Sequence, residues 1–94
     1  MSLAVDIIKH GGKRPNEQFL REKLHASIVA SCLATRTPEG FGDEIANKVC
    51  DLVEEWLDDR TIVTTIDIRN VATRHFKPIH PEAAYIYEQN KIII

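Results

Sequence analysis

The feature that most limits the fold is a single apolar stripe. Ile45, Val49, Leu52, Val53, Trp56 and Leu57 recur at helical spacing, with most of the acidic residues of the same stretch between them. A helix that is apolar along one side must bury that side against something else. The rest of the chain offers further helices. Leu20, Leu24, Ile28 and Cys32 follow one another every four residues, with Val29 and Leu33 beside them, and predict a helix from about Arg21 to Ala34. Between the two stripes, Thr37-Pro38-Glu39-Gly40-Phe41-Gly42 breaks the pattern, because Pro and Gly punctuate helices.

The second half carries its own start and stop signals. Thr64 with Asp67 three residues later matches a helix-start box, and a third helix then takes Ile68, Val71, Ala72, His75 and Phe76. Lys77-Pro78 ends it, since the residue before a proline avoids the α region. His80-Pro81-Glu82 opens a fourth helix with Pro at its first position and an acid in its first turn. Tyr85 and Tyr87 cannot share one side of that helix, so one of them is expected outside the core. Thr61-Ile62-Val63 reads as a connector, and Ile92-Ile93-Ile94 is an apolar end that packs back or leads into another domain.

Only the N-terminus reads as strand. Ala4-Val5-Asp6-Ile7-Ile8-Lys9 is short and rich in β-branched residues, and Glu17-Gln18-Phe19 is its expected return. His10-Gly11-Gly12-Lys13 lies between them, and paired glycines supply the positive φ of tight hairpin turns. A two-stranded ribbon is marginal alone and must lie on the helices. The expected fold class is therefore α+β, mostly α, with a small N-terminal β-hairpin capping a four-helix bundle. At 94 residues, 44% apolar and 28% charged, the chain suits one domain spanning 1–94 and is too rich in apolar residues for disorder.

Composition also narrows function. The longest apolar runs fall well short of the ~20 residues that cross a bilayer, so a membrane partner is not expected. The N-terminus lacks the pattern of a secretory signal, which makes the cytoplasm the expected compartment. Cys32 and Cys50 form no C-x-x-C pair and read as buried structural thiols. His10, His25, His75 and His80 show no metal-pair spacing, so no metal site is expected. No nucleophile or acid–base pair can be named, and an enzyme is not expected.

Charge is uneven along the chain. Residues 1–36 hold six cations against three acids, a net +3, whereas residues 37–63 hold two cations against eight acids, a net −6. The first third can attract an anion and the middle repels one. With pI ≈ 6.0 the chain lacks the broad basic face of a nucleic-acid binder. The Gly11-Gly12 turn sits among Lys9, His10, Lys13 and Arg14, and free N–H groups in such a turn can hold phosphate. It does not match the P-loop or dinucleotide patterns. Lys23 stands in the first turn of the first helix, where unsatisfied N–H groups also favour anions.

Taken in order, these pieces resemble the ATP-cone domain, the nucleotide-sensing module of many ribonucleotide reductases and of a reductase-gene repressor. Val5-Asp6-Ile7-Ile8-Lys9-His10-Gly11-Gly12 stands for the family's apolar strand and K-R-D-G-like turn. Glu17-Gln18-Phe19-Leu20-Arg21-Glu22-Lys23-Leu24 stands for its E-x-F and following (D/N)-x-x-K-(L/I). Thr65-Ile66-Asp67-Ile68 matches T-x-(D/E)-I, and Ala84-Tyr85-Ile86 matches A-Y-(V/I). The resemblance runs from about Val5 to Lys91. It implies ATP or dATP, with Mg2+ bridging the phosphates, held under the hairpin beside the first helix. It further implies Lys9 and Lys23 on phosphates, Glu17 and the backbone near Ile8 and Phe19 on the nucleoside, and Arg69 near sugar or phosphate. His10 and Gly11 stand where the family has Arg and Asp, the loop to Glu17 is two residues longer, and Leu20 replaces a capping Asp or Asn.

The function so implied is regulatory: nucleotide binding alters self-association or contact with a reductase-type partner domain. The alternative is a cone that keeps the fold, binds no nucleotide and serves as a protein–protein interaction domain.

Overall fold

A computed structural model of the chain describes residues 2–8, 17–38, 40–60 and 62–90. These residues are mostly helical. Strands β1 (Ser2–Ile8) and β2 (Glu17–Leu20) precede helices α1 (Arg21–Ala34) and α2 (Phe41–Leu57); strand β3 (Ile62–Thr64) then leads into α3 (Thr65–Phe76) and α4 (Pro81–Gln89). Helix α1 packs on α2 and α4, and α3 packs on the same two.

The helix ends follow local chemistry. Thr64 caps α3 through its side chain, which accepts from the Asp67 N–H at 3.0 Å, while the Asp67 carboxylate accepts from the Thr64 N–H at 3.1 Å. His80 caps α4, its Nδ1 accepting from the Ala83 N–H, with Pro81 in the first helical position. Helix α1 starts at Leu20 with no side-chain cap, as expected from the missing Asp or Asn. Its far end closes with Thr37 N–H on the Cys32 carbonyl and Arg36 N–H on that of Leu33. That is a Schellman closure with Arg36, at φ 60, in the left-handed position usually held by glycine. Gly40, at φ 94, opens α2.

Three expectations need correction. Phe41 and Gly42, read as part of the break, are the first two residues of α2, whose cap is Gly40. Residues 62–64 are not a connector: Ile62, Val63 and Thr64 form a strand parallel to β1, with Asp6 opposite Ile62, Ile7 opposite Val63 and Ile8 opposite Thr64. The N-terminal strands therefore belong to a three-stranded sheet of order β2-β1-β3, in which β1 and β2 are antiparallel. Three consecutive β-branched residues suit a pleated edge, and pairing with β1 decides between strand and coil. The α1 stripe is also shifted. Leu24, Ile28 and Cys32 are buried, but Leu20 and Leu33 are exposed, and Ser27 and Ser31 are buried instead. Both serine hydroxyls donate to carbonyls of the preceding turn, Ser27 to Lys23 and Leu24 and Ser31 to Ser27. Burying them therefore leaves no donor unsatisfied.

The core joins all four helices to the sheet. Phe19 of β2 and Val63 of β3 enter it beside Ile28, Val49, Val53, Leu57, Ile68, Phe76 and Tyr87. Ile45 and Trp56 are half-buried at its margin. Tyr87 lies inside, its ring centroid 6.0 Å from that of Phe76, and Tyr85 is the tyrosine left exposed. Among the described residues no helix is long and apolar enough to cross a membrane.

Candidate functional site

The sheet register gathers the candidate residues. Ile7 pairs with Glu17 on one side, and Ile8 pairs with Thr64 on the other. The end of β1 thus lies between the first residue of β2 and the start of α3. Lys9, His10, Gly11 and Gly12, which come next, lie outside the described residues, as do Lys13 and Arg14. Phe19 spends its side chain on the core, at 1% exposure, so only the backbone of its edge strand could face a ligand. Lys23 is exposed on the first turn of α1, which begins at the other end of β2, where Leu20 pairs with Ser2.

Arg69 is already engaged. Its Nη2 donates to the carbonyls of Tyr87 at 2.8 Å and Glu88 at 3.2 Å, and its guanidinium carbon lies 5.0 Å from the centroid of the Tyr87 ring. It closes the last turn of α4, whose final carbonyls have no donor from within the helix.

Sequence reasoning missed Thr65. Its Oγ1 is buried and, among the described residues, has no hydrogen-bond partner. A buried hydroxyl left unpaired costs roughly 1–3 kcal/mol, which a ligand atom could recover. Thr65 is the first residue of α3, an end at which the capping box already takes the Asp67 N–H and places the Asp67 carboxylate. The available signal was the hydroxyl itself, which the T-x-D-I match had used only to mark a helix start.

Three other clusters organise the surroundings. Arg21 donates to Asp51 at 2.7 Å, to Glu54, and to the Asn47 carbonyl at 3.1 Å, pinning the start of α1 to the acidic side of α2. Burial opposes its charge, but the two carboxylates outweigh that and raise its pKa. His25 Nε2 lies 3.1 Å from Asp43. His80 Nε2 faces Thr37 Oγ1 at 2.9 Å and Thr35 Oγ1 at 3.3 Å. Because Nδ1 accepts from Ala83, Nε2 carries the proton and donates, which ties the α1–α2 loop to the head of α4.

The thiols are poor nucleophiles here. Burial pushes Cys50 up to about 11 and also raises Cys32. Both are free and buried. Among the described residues no group of three or more His, Cys, Asp or Glu could hold a metal ion. An open groove of about 560 Å³ runs between α3 and α4, lined by Asn70, Thr73, Arg74, Lys77, Pro78 and Glu88. Its cations sit at the C-terminal end of α3, where they answer the helix's own partial negative charge. No protein-family model, curated protein or solved structure matches the chain.

Proposed function

We propose that the chain is a regulatory module of the ATP-cone kind. In this reading a β-hairpin cap on a four-helix bundle takes ATP or dATP, with Mg2+ on the phosphates, and alters self-association or contact with a partner domain. The observation that carries it is the conjunction at the head of α3. A buried, unpartnered hydroxyl on Thr65 lies at a helix N-terminus, beside the strand end that leads directly into Lys9-His10-Gly11-Gly12. Glu17 stands across β1 from that same strand end. A glycine turn flanked by cations, a helix N-terminus and a spare hydroxyl are the groups that a nucleoside triphosphate needs.

In this reading Lys9 and Lys23 neutralise phosphate charge, and Thr65 donates to or accepts from the ligand. Glu17 and the edge backbone near Phe19 hold the nucleoside. The module carries out no bond-making of its own; it converts ligand occupancy into a change of contacts, which requires only that the two states bind the ligand differently.

Thermal unfolding with and without millimolar ATP or dATP tests the reading. A ligand at 100 times its Kd stabilises by about 2.7 kcal/mol, or several degrees in a domain of this size. Lys9→Ala and Lys23→Ala should remove most of that shift while leaving the ligand-free Tm close to the parent's. The absence of a shift with either nucleotide would favour the interaction domain, for which the exposed Leu33 and Phe41 provide apolar surface.

A further inference from the structure

We propose that the groove between α3 and α4 binds a small phosphate ester, with the phosphate held by Thr73, Arg74 and Lys77. The site is separate from the head of α3 and does not rest on the nucleotide reading. Asn70, Thr73, Arg74 and Lys77 recur at three- and four-residue spacing, so they share one side of α3 and its C-cap. The row runs about 10 Å along the helix axis. Pro78 and, from α4, Glu88 complete the lining. The recess of about 560 Å³ has the size of a small-molecule site, roughly 300–1,000 Å³.

Thr73 is the residue that marks the groove as a site. It is only 8% exposed, yet its hydroxyl has no hydrogen-bond partner among the described residues. The two serines buried in α1 turn back on their own helix, Ser27 donating to the Lys23 carbonyl and Ser31 to that of Ser27. Thr73 makes no such bond and lines the groove instead. A buried hydroxyl left unmatched costs free energy that a ligand oxygen would return. Its neighbours are equally uncommitted. Arg74 makes no hydrogen bond, ion pair or ring contact among the described residues. Lys77 reaches only Glu88, at 3.9 Å, and both of those side chains are about half exposed.

Charge sets the class of ligand. A phosphate monoester carries about −1.5 to −2 at neutral pH, which Arg74 and Lys77 together balance, whereas a carboxylate carries a single charge. The guanidinium presents a planar fork to two phosphate oxygens, Lys77 adds a point charge, and the Thr73 hydroxyl donates to the remaining oxygen. The C-terminal end of α3 opposes an anion with roughly half an elementary charge, which two full cations outweigh. Its carbonyls are also partly occupied, since those of Thr73 and Phe76 accept from the Lys77, Ile79 and His80 N–H groups. The Glu88 carboxylate, an acceptor only, repels the phosphate but accepts from a hydroxyl. The ligand therefore carries hydroxyl groups on its body, as a sugar phosphate does.

Titration of the full chain followed by amide NMR tests this, with ribose 5-phosphate, inorganic phosphate and ribose as probes. Ribose 5-phosphate should move the Asn70, Thr73, Arg74 and Lys77 amides along one saturating curve, and ribose should move none of them. Arg74→Gln should weaken ribose 5-phosphate by about tenfold or more, the loss of a charge-assisted pair. Thr73→Val keeps the shape and should weaken it about three- to tenfold, with a Tm no lower than the parent's, because the deleted hydroxyl has no partner. Glu88→Gln should narrow the preference for the ester over inorganic phosphate, and Lys48→Gln, on α2, should leave both affinities alone. Shifts that never saturate, or that spread equally to Lys48 and Arg60, would mean diffuse charge screening and overturn the site. Arg74→Gln binding like the parent would overturn it too, as would ribose binding as well as its phosphate. A clear fall in Tm for Thr73→Val would show that the hydroxyl already has a partner and remove the ground for the proposal.

Discussion

The guanidinium of Arg21, the first residue of α1, donates to the carboxylate of Asp51 on α2 at 2.7 Å. A cation in the first turn of a helix opposes the helix dipole, so it belongs there only if something outweighs that cost. Asp51, Glu54 and the Asn47 carbonyl do so together. The cluster orients α1 against α2 and also lowers the effective charge of the acidic helix. Arg21→Gln should destabilise the fold by about 1–2 kcal/mol, the range for a hydrogen-bonded charge cluster only partly screened by solvent. Urea unfolding should show a lower midpoint with an unchanged m value, and the loss should shrink at high salt.

Arg36 occupies a left-handed backbone position, φ 60, that costs any residue with a Cβ. Arg36→Gly should therefore stabilise the chain by about 0.5–1 kcal/mol, the relief exceeding the extra freedom glycine gains when unfolded. The converse holds at Gly40, φ 94, where a Cβ would meet nothing within 4 Å. Gly40→Ala should cost about 1 kcal/mol through backbone strain alone. Paired thermal melts should shift in opposite directions.

The Tyr87 hydroxyl is buried with no hydrogen-bond partner among the described residues. Removing it leaves the ring packing intact, including the contact with Phe76 and the Arg69 stack. Tyr87→Phe should be neutral or stabilising by up to about 1 kcal/mol, since an unpaired buried hydroxyl is a cost. A clear loss of stability would reveal a hidden partner for that oxygen.

Alkaline stability has a definite sign. Burial raises Cys50 from 9.0 to about 11 and Tyr87 from 10.0 to about 12. Each group keeps its proton more tightly when folded, so the unfolded chain binds fewer protons across those intervals. The stability that these groups contribute is complete below pH 9 and falls as the pH climbs from there toward 12. Cys50→Ala should flatten the first part of that decline, between about pH 9 and 11, relative to the parent. Thiol titration should agree: both cysteines should stay slow toward a disulfide reagent until the chain unfolds.

What the residues reveal locally, and what they leave to packing, can be seen case by case. Pro81 and His80 mark the start of α4, and the Thr64–Asp67 exchange marks α3, because each of those hydrogen bonds lies within four residues of its donor. The candidate site is legible to the same depth. The glycine turn, Glu17 and the T-x-D-I stretch can all be named from the chain, but only the register places Glu17 and Thr64 on opposite sides of the strand end that leads to Lys9. Thr65 escaped notice because whether a hydroxyl is satisfied depends on neighbours that periodicity does not name.

The chain alone determined the helix count, the bounds of α1, the starts of α3 and α4, the buried thiols and the uncapped start at Leu20, since all of these come from short-range geometry and hydrophobic spacing; the start of α2 at Phe41 it placed inside a break. Tertiary structure decided the rest. It turned Ile62–Thr64 into a strand by supplying β1 as a partner, put Ser27 and Ser31 inside and Leu33 outside, chose Tyr87 over Tyr85, and gave Arg69 the carbonyls of α4 to hold. Strand pairing, burial and a borrowed cap each need a partner distant in sequence, and which partner arrives is a property of the packed chain as a whole.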